Sequence, residues 1–232
     1  MSLTIKEVQH PELGLIKLRK IRTAKHVRLR LPPKGGVLVT MPFYMPFQAG
    51  LNYALKQRDW IEKHQTTTRT FKSGERIGRS HSFSFQPADV ASVQTRRTSM
   101  HLVVKYPPHL SETSPEVQQA AHEIAVRALR YEAAEILPMR LNQLAREYGF
   151  AYEECLLRQL TARWGSCTNK KIITLNIFLM QLPDHLIDYV LLHELTHTEH
   201  LNHSHSFWTR LERAIPDAKQ RRLAIKSYNP AL

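Results

Sequence analysis

The chain has little cysteine and no long apolar run, and each absence narrows its class. Cys155 and Cys167 are the only cysteines in 232 residues, which excludes a disulfide-stapled secreted scaffold. No uninterrupted apolar stretch reaches the roughly 18 residues of a membrane helix. The polar N-terminus lacks the apolar segment of a signal peptide. We therefore expect a cytoplasmic protein with no membrane partner.

A glycine-rich phosphate loop is also absent. Lys34-Gly35-Gly36 follows two prolines and predicts a tight turn between strands, and no GxxxxGK[ST] pattern occurs. This excludes a P-loop nucleotide hydrolase but leaves simpler metal-dependent hydrolases open.

Acidic residues are scarce in the first half of the chain. Residues 1–110 hold 19 Lys/Arg against 6 Asp/Glu, whereas residues 111–232 hold 14 of each. The whole excess of +13 thus lies in the first half. It indicates either a solvated basic surface or an acidic partner such as nucleic acid.

The hydrophobic pattern predicts an α+β protein with a β-rich, basic N-terminal region. Residues 13–42 alternate with the period of half-buried strands, and their exposed positions include Lys17, Arg19, Arg28 and Arg30. Residues 46–64 switch to helical spacing, and β-type patterns return around 69–86 and 100–106. Pro107-Pro108 ends them, so we predict domains over 1–110 and 111–232.

The second half alternates between helices and short strands. Helical spacing runs from about 115 to 148, with Ser114 as N-cap, Pro115 at the first helical position, Pro138 as a kink or break and Gly149 as C-cap. Strands are predicted at 155–160 and 172–179, and helices from about 183, 206 and 216 onward.

The segment His193-Glu194-Leu195-Thr196-His197 lies late in an apolar helical pattern. Residues four apart share one helix face, so two imidazoles there can converge on one ion. Glu194 is displaced by about 100° around the axis and is free to act as general base toward a water that Zn²⁺ activates. Five of the 13 histidines fall in residues 193–205, a density that favours a metal site.

The third metal ligand is open among several residues. His203 is the first choice, because it follows His197 by the six residues of the longer HExxHxxGxxH motif. Glycine is missing at position 200, so Asn202 is the candidate for a left-handed turn residue. The rival ligands are His200, His205 and Glu212.

Several segments together resemble the YgjP-like metallopeptidase family, which is related to the SprT-like and WLM zinc peptidases. They are HELTHTEHLNHSHSFW (193–208), RWGSC (163–167), ITLNIFLMQLPDHLIDYVLLHEL (173–195), RLRLPPKGGVLVTMP (28–42) and RDWIEKH (58–64). Their ordered combination is far more specific than HExxH alone. The resemblance implies a minimal zincin core, in which the HExxH helix packs on a small sheet. It implies His193, His197 and His203 as ligands and Glu194 as base.

The RWGSC segment has a functional and a structural interpretation. Arg163 is a candidate to bind a substrate carbonyl or to stabilise an oxyanion. Trp164 is expected to pack, Gly165 to turn, and Ser166 with Cys167 to fill a loop under the site. Asn176 is expected to order backbone beside the sheet edge.

The resulting hypothesis is a zinc-dependent peptidase that acts on a polypeptide through Glu194. The alternatives are a metal-dependent phosphohydrolase acting on nucleotides, a protease tethered to nucleic acid by its basic half, and a binding module with a structural zinc.

Overall fold

The computed structural model describes residues 4–32, 36–64 and 70–232, with the backbone alone for 62–64. It divides the chain into two compact units, Met1–Thr70 and Phe71–Leu232. Its α+β architecture with a β-rich N-terminal region confirms the predicted fold class.

The first unit holds a four-stranded sheet and two helices. Its strands are β1 (Thr4–His10), β2 (Gly14–Ile21), β3 (Arg28–Arg30) and β4 (Val37–Pro42), in the order β1-β2-β4-β3. Alternate residues of β2 and β4, such as Ile16, Leu18 and Val39, form its apolar core with Ala54 and Ile61. The predicted turn at Lys34-Gly35-Gly36 falls largely outside the described residues.

The helical stretch that follows is two helices, α1 (Phe47–Lys56) and α2 (Arg58–His64). Gln57 separates them because its backbone, at φ −97° and ψ 17°, leaves the helical region.

The second unit begins with another four-stranded sheet, covered by one long helix. Its strands are β5 (Arg76–Ile77), β6 (His81–Pro87), β7 (Gln94–Arg97) and β8 (His101–Tyr106), in the order β5-β6-β8-β7. Helix α3 (Pro115–Tyr148) continues through Pro138 and ends at Gly149, which has the left-handed conformation of a C-cap. Ser114 precedes the helix without a side-chain cap bond.

A three-stranded sheet and three helices complete this unit. Strand β9 (Glu154–Arg158) pairs in parallel with β11 (Ile172–Asn176), and β10 (Gly165–Cys167) pairs antiparallel on the other side of β11. A 3-10 turn (Ile177–Gln181) leads to α4 (Asp184–Thr196), α5 (His205–Ala214) and α6 (Ala218–Ala224).

The predicted domain boundary near residue 110 does not match the compact units. Leu102 and Val104 of β8 belong to the same buried core as Val117 and Ala121 of α3. The Pro107-Pro108 segment therefore connects two packed elements of one unit, and the chain divides at residue 70 instead.

None of the described helices is both long enough and apolar enough to cross a membrane.

Candidate metal centre

Three histidines converge at the end of α4. His193 lies in its last turn, His197 directly follows it, and His203 returns from the next loop. One ring nitrogen of each lies within 4.8 Å of the others. Nε2 of His193 and Nε2 of His203 are 3.0 Å apart. The structure therefore brings together the three residues that the sequence analysis put first as ligands.

The second unit's core fixes the position of α4. Leu191, Leu192 and Leu195 are buried against the rest of the unit. On the same face of α4, the Asp188 carboxylate accepts two hydrogen bonds from Arg140 of α3, at 2.7 and 2.6 Å. This planar, bidentate contact restrains the position of α4 along its own axis and also its distance from α3.

The loop that carries His203 does not use the turn that the sequence suggested. Among the described residues other than glycine, only Lys171 has a positive φ, so the left-handed role predicted for Asn202 is wrong. The chain turns instead through consecutive backbone bonds, in which the amides of Glu199 and His200 both donate to the Thr196 carbonyl. These bonds tighten the last helical turn and remove the need for glycine at position 200.

Arg210 of α5 holds this loop in place. Its Nε donates to the Glu199 carboxylate at 2.8 Å, and its Nη2 donates to the carbonyl of Tyr148 at 2.8 Å. The guanidinium also lies over the Phe150 ring, 3.8 Å from its centroid. One side chain thus ties the loop before His203 to the end of α3.

The imidazoles are held in the neutral form that a metal requires. Burial lowers the pKa of His193 to about 3, and the neighbouring His197 and His203 add to the effect. Burial also lowers the pKa of His197 and of His203.

One hydrogen bond and one aromatic ring orient the three histidine rings. Nδ1 of His197 donates to the carbonyl of His200 at 3.0 Å, which leaves Nε2 free as a ligand atom. The buried Phe207 ring lies 5.0, 4.7 and 4.8 Å from the rings of His193, His197 and His203. It forms an apolar floor under the three histidines.

Glu194 is almost fully buried, with 5% of its surface exposed. Its Oε2 has no hydrogen-bond partner among the described residues. Burial raises the pKa of this carboxyl to about 8, although the charge of Arg163 acts in the opposite direction. A carboxyl with such a pKa exchanges protons near neutral pH, as a general base must.

Gly165 lies directly against Glu194. A Cβ atom added at Gly165 would lie 2.7 Å from Oε1 and 2.8 Å from Cγ of Glu194. The residue belongs to β10 and not to the predicted turn. Its missing side chain is what leaves room for the carboxylate.

Asn176 organises the backbone around RWGSC, as the sequence analysis expected. Its buried Nδ2 lies 3.1, 3.0 and 2.8 Å from the carbonyl oxygens of Leu160, Arg163 and Pro230, which share its two N–H donors. Its Oδ1 accepts from the amide of Phe178 at 3.2 Å. The Arg163 backbone is thereby fixed, while its side chain is exposed at the entrance to β10.

The rival ligands lie elsewhere. Glu212 forms an ion pair with Lys219 at 2.9 Å. His205 begins α5, with its Nε2 3.5 Å from the Thr209 hydroxyl. His200 contributes its carbonyl to His197, and none of the three rivals belongs to the histidine cluster found among the described residues.

The donor set fits a zinc ion. Three neutral imidazoles with their ring nitrogens turned toward one another match the ligands of catalytic zinc sites. Nitrogens bound to a tetrahedral ion at about 2.1 Å lie roughly 3.4 Å apart, close to the 3.0 Å between His193 and His203. His193, His197 and His203 would hold the ion.

Gly165, Phe207 and Arg210 escaped the sequence analysis as site residues. Each acts through a contact between distant parts of the chain, which periodicity does not reveal. The only signal for Phe207 was its place in the segment HELTHTEHLNHSHSFW (193–208), which contributes to the family resemblance.

The chain is similar to one metallopeptidase family and to two metallopeptidase zymogens of known structure. The profile of the family described as YgjP-like, metallopeptidase domain matches residues 25–228. The metallopeptidase zymogen abylysin of Pyrococcus abyssi is 26% identical, with a TM-score of 0.37, over 40% of this chain and 93% of that one. For the zymogen jannalysin of Methanocaldococcus jannaschii the values are 18%, 0.35, 39% and 93%. None of the curated proteins compared matches the chain.

Proposed function

Because the chain belongs to the YgjP-like metallopeptidase family, we propose that it is a zinc-dependent peptidase with Glu194 as its general base. The ligands in this proposal are His193, His197 and His203. The observation that carries it is their convergence within 4.8 Å beside a buried carboxyl whose pKa is raised to about 8.

Glu194 performs the proton transfers of the reaction. Zinc, when bound, supplies Lewis acidity that acidifies water and polarises a carbonyl. Glu194 accepts a proton from water while the water oxygen forms a bond to the carbonyl carbon of the peptide. It then gives this proton to the amide nitrogen as the C–N bond breaks. The buried site around Glu194 strengthens these interactions by excluding bulk water.

The outer edge of β10 is the proposed place for the substrate backbone. The Trp164 carbonyl accepts from the Asn176 amide at 2.9 Å, and the Thr168 amide donates to the Ile172 carbonyl at 3.0 Å. Ser166 lies between them, opposite Thr174. The antiparallel alternation therefore directs the N–H and C=O groups of Gly165 and Cys167 to the open edge. An extended polypeptide would pair there by strand addition, next to Glu194.

Arg163 is proposed as a substrate-binding residue. Its exposed side chain stands where β10 begins, and its charge already acts on the carboxyl of Glu194. A guanidinium at this point can donate to a substrate carbonyl or to the oxyanion that forms from it.

The test is cleavage of an unfolded polypeptide by the zinc-loaded wild type and by Glu194→Gln. We expect the variant to keep its zinc but to lose about 10²- to 10⁴-fold in rate, the usual contribution of a general base. Glu153→Gln makes the same chemical change at an exposed position and should retain full activity.

The same preparations decide between peptidase and phosphohydrolase. Nucleoside triphosphates are offered in parallel, with release of phosphate or diphosphate as the readout. Hydrolysis of triphosphates alone, lost in Glu194→Gln, would assign the site to phosphoryl chemistry and refute the peptidase proposal.

The basic first half motivates a second proposal, that the protease docks on nucleic acid. Residues 1–70 carry 13 Lys/Arg against 4 Asp/Glu, whereas residues 71–232 carry 20 against 16. The excess charge is thus concentrated in the first unit, away from the proposed catalytic residues in sequence. Such a concentration of positive charge favours binding to phosphates, whatever the nucleotide sequence.

A further inference from the structure

Basic residues lie in two rows across the outer face of the first sheet. In one row, Arg19 of β2 is paired with Thr40 of β4, which is paired with Arg28 of β3. In the next row, Lys17 is paired with Leu38, which is paired with Arg30. Paired residues point to the same side of a sheet, and so do residues two apart in one strand. The three arginines therefore share the face opposite the core.

These arginines line a pocket of about 480 Å³ together with the segment after β2. Its five basic side chains are those of Arg19, Lys25, His26, Arg28 and Arg30. None of the lining residues that the structure describes is acidic, and His26 supplies the only aromatic ring among them. Four of the five basic residues are exposed, Arg19 being the half-buried exception.

The charge of Lys17 is neutralised by an ion pair, whereas the charges of Arg28 and Arg30 are not neutralised by any described acidic residue. Lys17 pairs with Glu7 of β1 at 2.7 Å, at the far side of the same face. Arg28 and Arg30 form no ion pair with any described acidic residue. The sheet therefore neutralises its positive charge on one side and leaves it uncompensated in the pocket.

Arg19 is held in place with an unused donor. Its Nη2 donates to the Thr40 hydroxyl at 3.2 Å. Its Nε is buried and has no hydrogen-bond partner among the described residues. A buried N–H without a partner is unfavourable, and an anion bound to the Arg19 guanidinium would add charge-assisted hydrogen bonds that offset this cost.

We propose that this pocket holds the phosphodiester backbone of a nucleic acid strand. Arginine suits the site because its planar donors match phosphate oxygens. The two rows are about 7 Å apart along the strands, so they offer consecutive contacts to a chain of phosphates and not a single point charge. Phosphate contacts carry no sequence information, and stacking of a base on His26 would be tolerant of sequence, so binding is independent of sequence. This inference deepens the docking proposal and names its site.

The test is the binding of a fluorescent mixed-sequence oligonucleotide, single-stranded or duplex, to the full-length zinc-loaded protein. Anisotropy is followed from about 50 to about 200 mM salt, since phosphate contacts weaken steeply over this range. In Arg28→Glu/Arg30→Glu, affinity should fall at least about tenfold, and the slope of log affinity against log salt should shrink by about 1 per lost contact. Arg28→Lys/Arg30→Lys keeps the charge and should retain most of the salt slope.

The matched control is Lys105→Glu/Arg130→Glu, which changes the net charge equally at exposed positions of the second unit. It should stay within about twofold of wild type. Equal loss in both double variants would show an unlocalised charge effect and overturn the assignment. So would equally tight binding of polyglutamate, or competition by free phosphate or a nucleoside triphosphate at concentrations that saturate a simple anion site.

Cleavage of the unfolded polypeptide is measured on the same samples. The arginine double variant should cleave like wild type, and Glu194→Gln should bind the oligonucleotide like wild type. Oligonucleotide binding without any cleavage would refute the peptidase proposal alone, whereas cleavage without such binding would refute this inference alone.

Discussion

At the scale of single residues, the contact between Gly165 and Glu194 links the sheet edge to the proposed base. Gly165→Ala would place a methyl group 2.7 Å from Oε1 of Glu194 and force that carboxylate to move. Because a displacement of about 1 Å can reduce the rate about 10²-fold, we expect a loss of about 10- to 100-fold in kcat. The measurement is peptidase kinetics with zinc content determined alongside.

Ser166→Ala is the control for this prediction, since the neighbouring side chain points to the other face of β10. It should alter kcat by less than about twofold. Equal kinetics for the alanine variants at 165 and 166 would mean that the contact with Glu194 has no catalytic role.

The buried carboxyl of Glu194 also predicts how the metal-free protein responds to pH. Its pKa is raised from an ordinary 4.5 to about 8, whereas that of His193 is lowered from 6.5 to about 3. Between pH 4.5 and 6.5 the two residues act in opposite directions, because the native state keeps the Glu194 proton but lacks the His193 proton.

Between pH 6.5 and 8 only the Glu194 effect remains. The native state holds a proton that the unfolded chain has released, so the free energy of unfolding falls as the pH rises. Denaturant unfolding of the metal-free protein should show this decline in the wild type and a flatter profile in Glu194→Gln. A parallel decline in both proteins would mean that Glu194 is not the group responsible.

Sequence reasoning reached those site residues whose geometry is local. The spacing of His193, Glu194 and His197 along one helix predicts their shared position, because a helix has a fixed period. The left-handed turn predicted at Asn202 was wrong, because backbone hydrogen bonds to the Thr196 carbonyl turn the chain instead. Gly165 was placed in a turn, because nothing in RWGSC indicates its packing against α4.

At the scale of elements, β10 is the strand on which substrate binding is proposed to depend. Cys167→Pro would remove an N–H that we place at the open edge, where proline is tolerated. One lost hydrogen bond is worth about 0.5 to 1.5 kcal/mol, so kcat/KM should fall about 2- to 10-fold, mainly through KM. Steady-state kinetics on a peptide substrate measure it.

Ser166→Pro tests the same geometry from the other side. Its N–H is expected to face β11, so this substitution should remove a ladder bond and lower the thermal stability of the second unit. The opposite pattern would be a loss of thermal stability in Cys167→Pro and a change in KM alone in Ser166→Pro. It would mean that the N–H of Ser166, and not that of Cys167, faces the open edge.

The elements that sequence reasoning missed have weak patterns. Strand β1 has no buried residue, so it gave no alternation to detect. Residues 172–179 were predicted as one strand, but β11 ends at Asn176, where the side chain caps a 3-10 turn through Phe178. Long helix α3 was predicted with its ends nearly correct, because a proline, a glycine and a sustained helical spacing mark it.

At the scale of the whole molecule, most of the excess positive charge belongs to the first compact unit, and the proposed catalytic residues belong to the second. The predicted division at residue 110 followed the prolines, which mark a loop in the sequence. Packing decides the units instead, and it joins the second sheet to α3 in one core. Sequence reasoning therefore found the α+β class but misplaced the boundary, because that depends on contacts between distant segments.

The metal content of the intact chain tests the central claim most directly. Native mass spectrometry of the zinc-reconstituted protein should find one ion in the wild type, in Glu194→Gln, in His200→Ala and in His205→Ala. His203→Ala should lose zinc affinity by more than about a hundredfold, since it removes one of three proposed ligands. Retention of zinc by His203→Ala, its loss in His200→Ala, or two ions bound to the wild type would contradict a single centre formed by His193, His197 and His203.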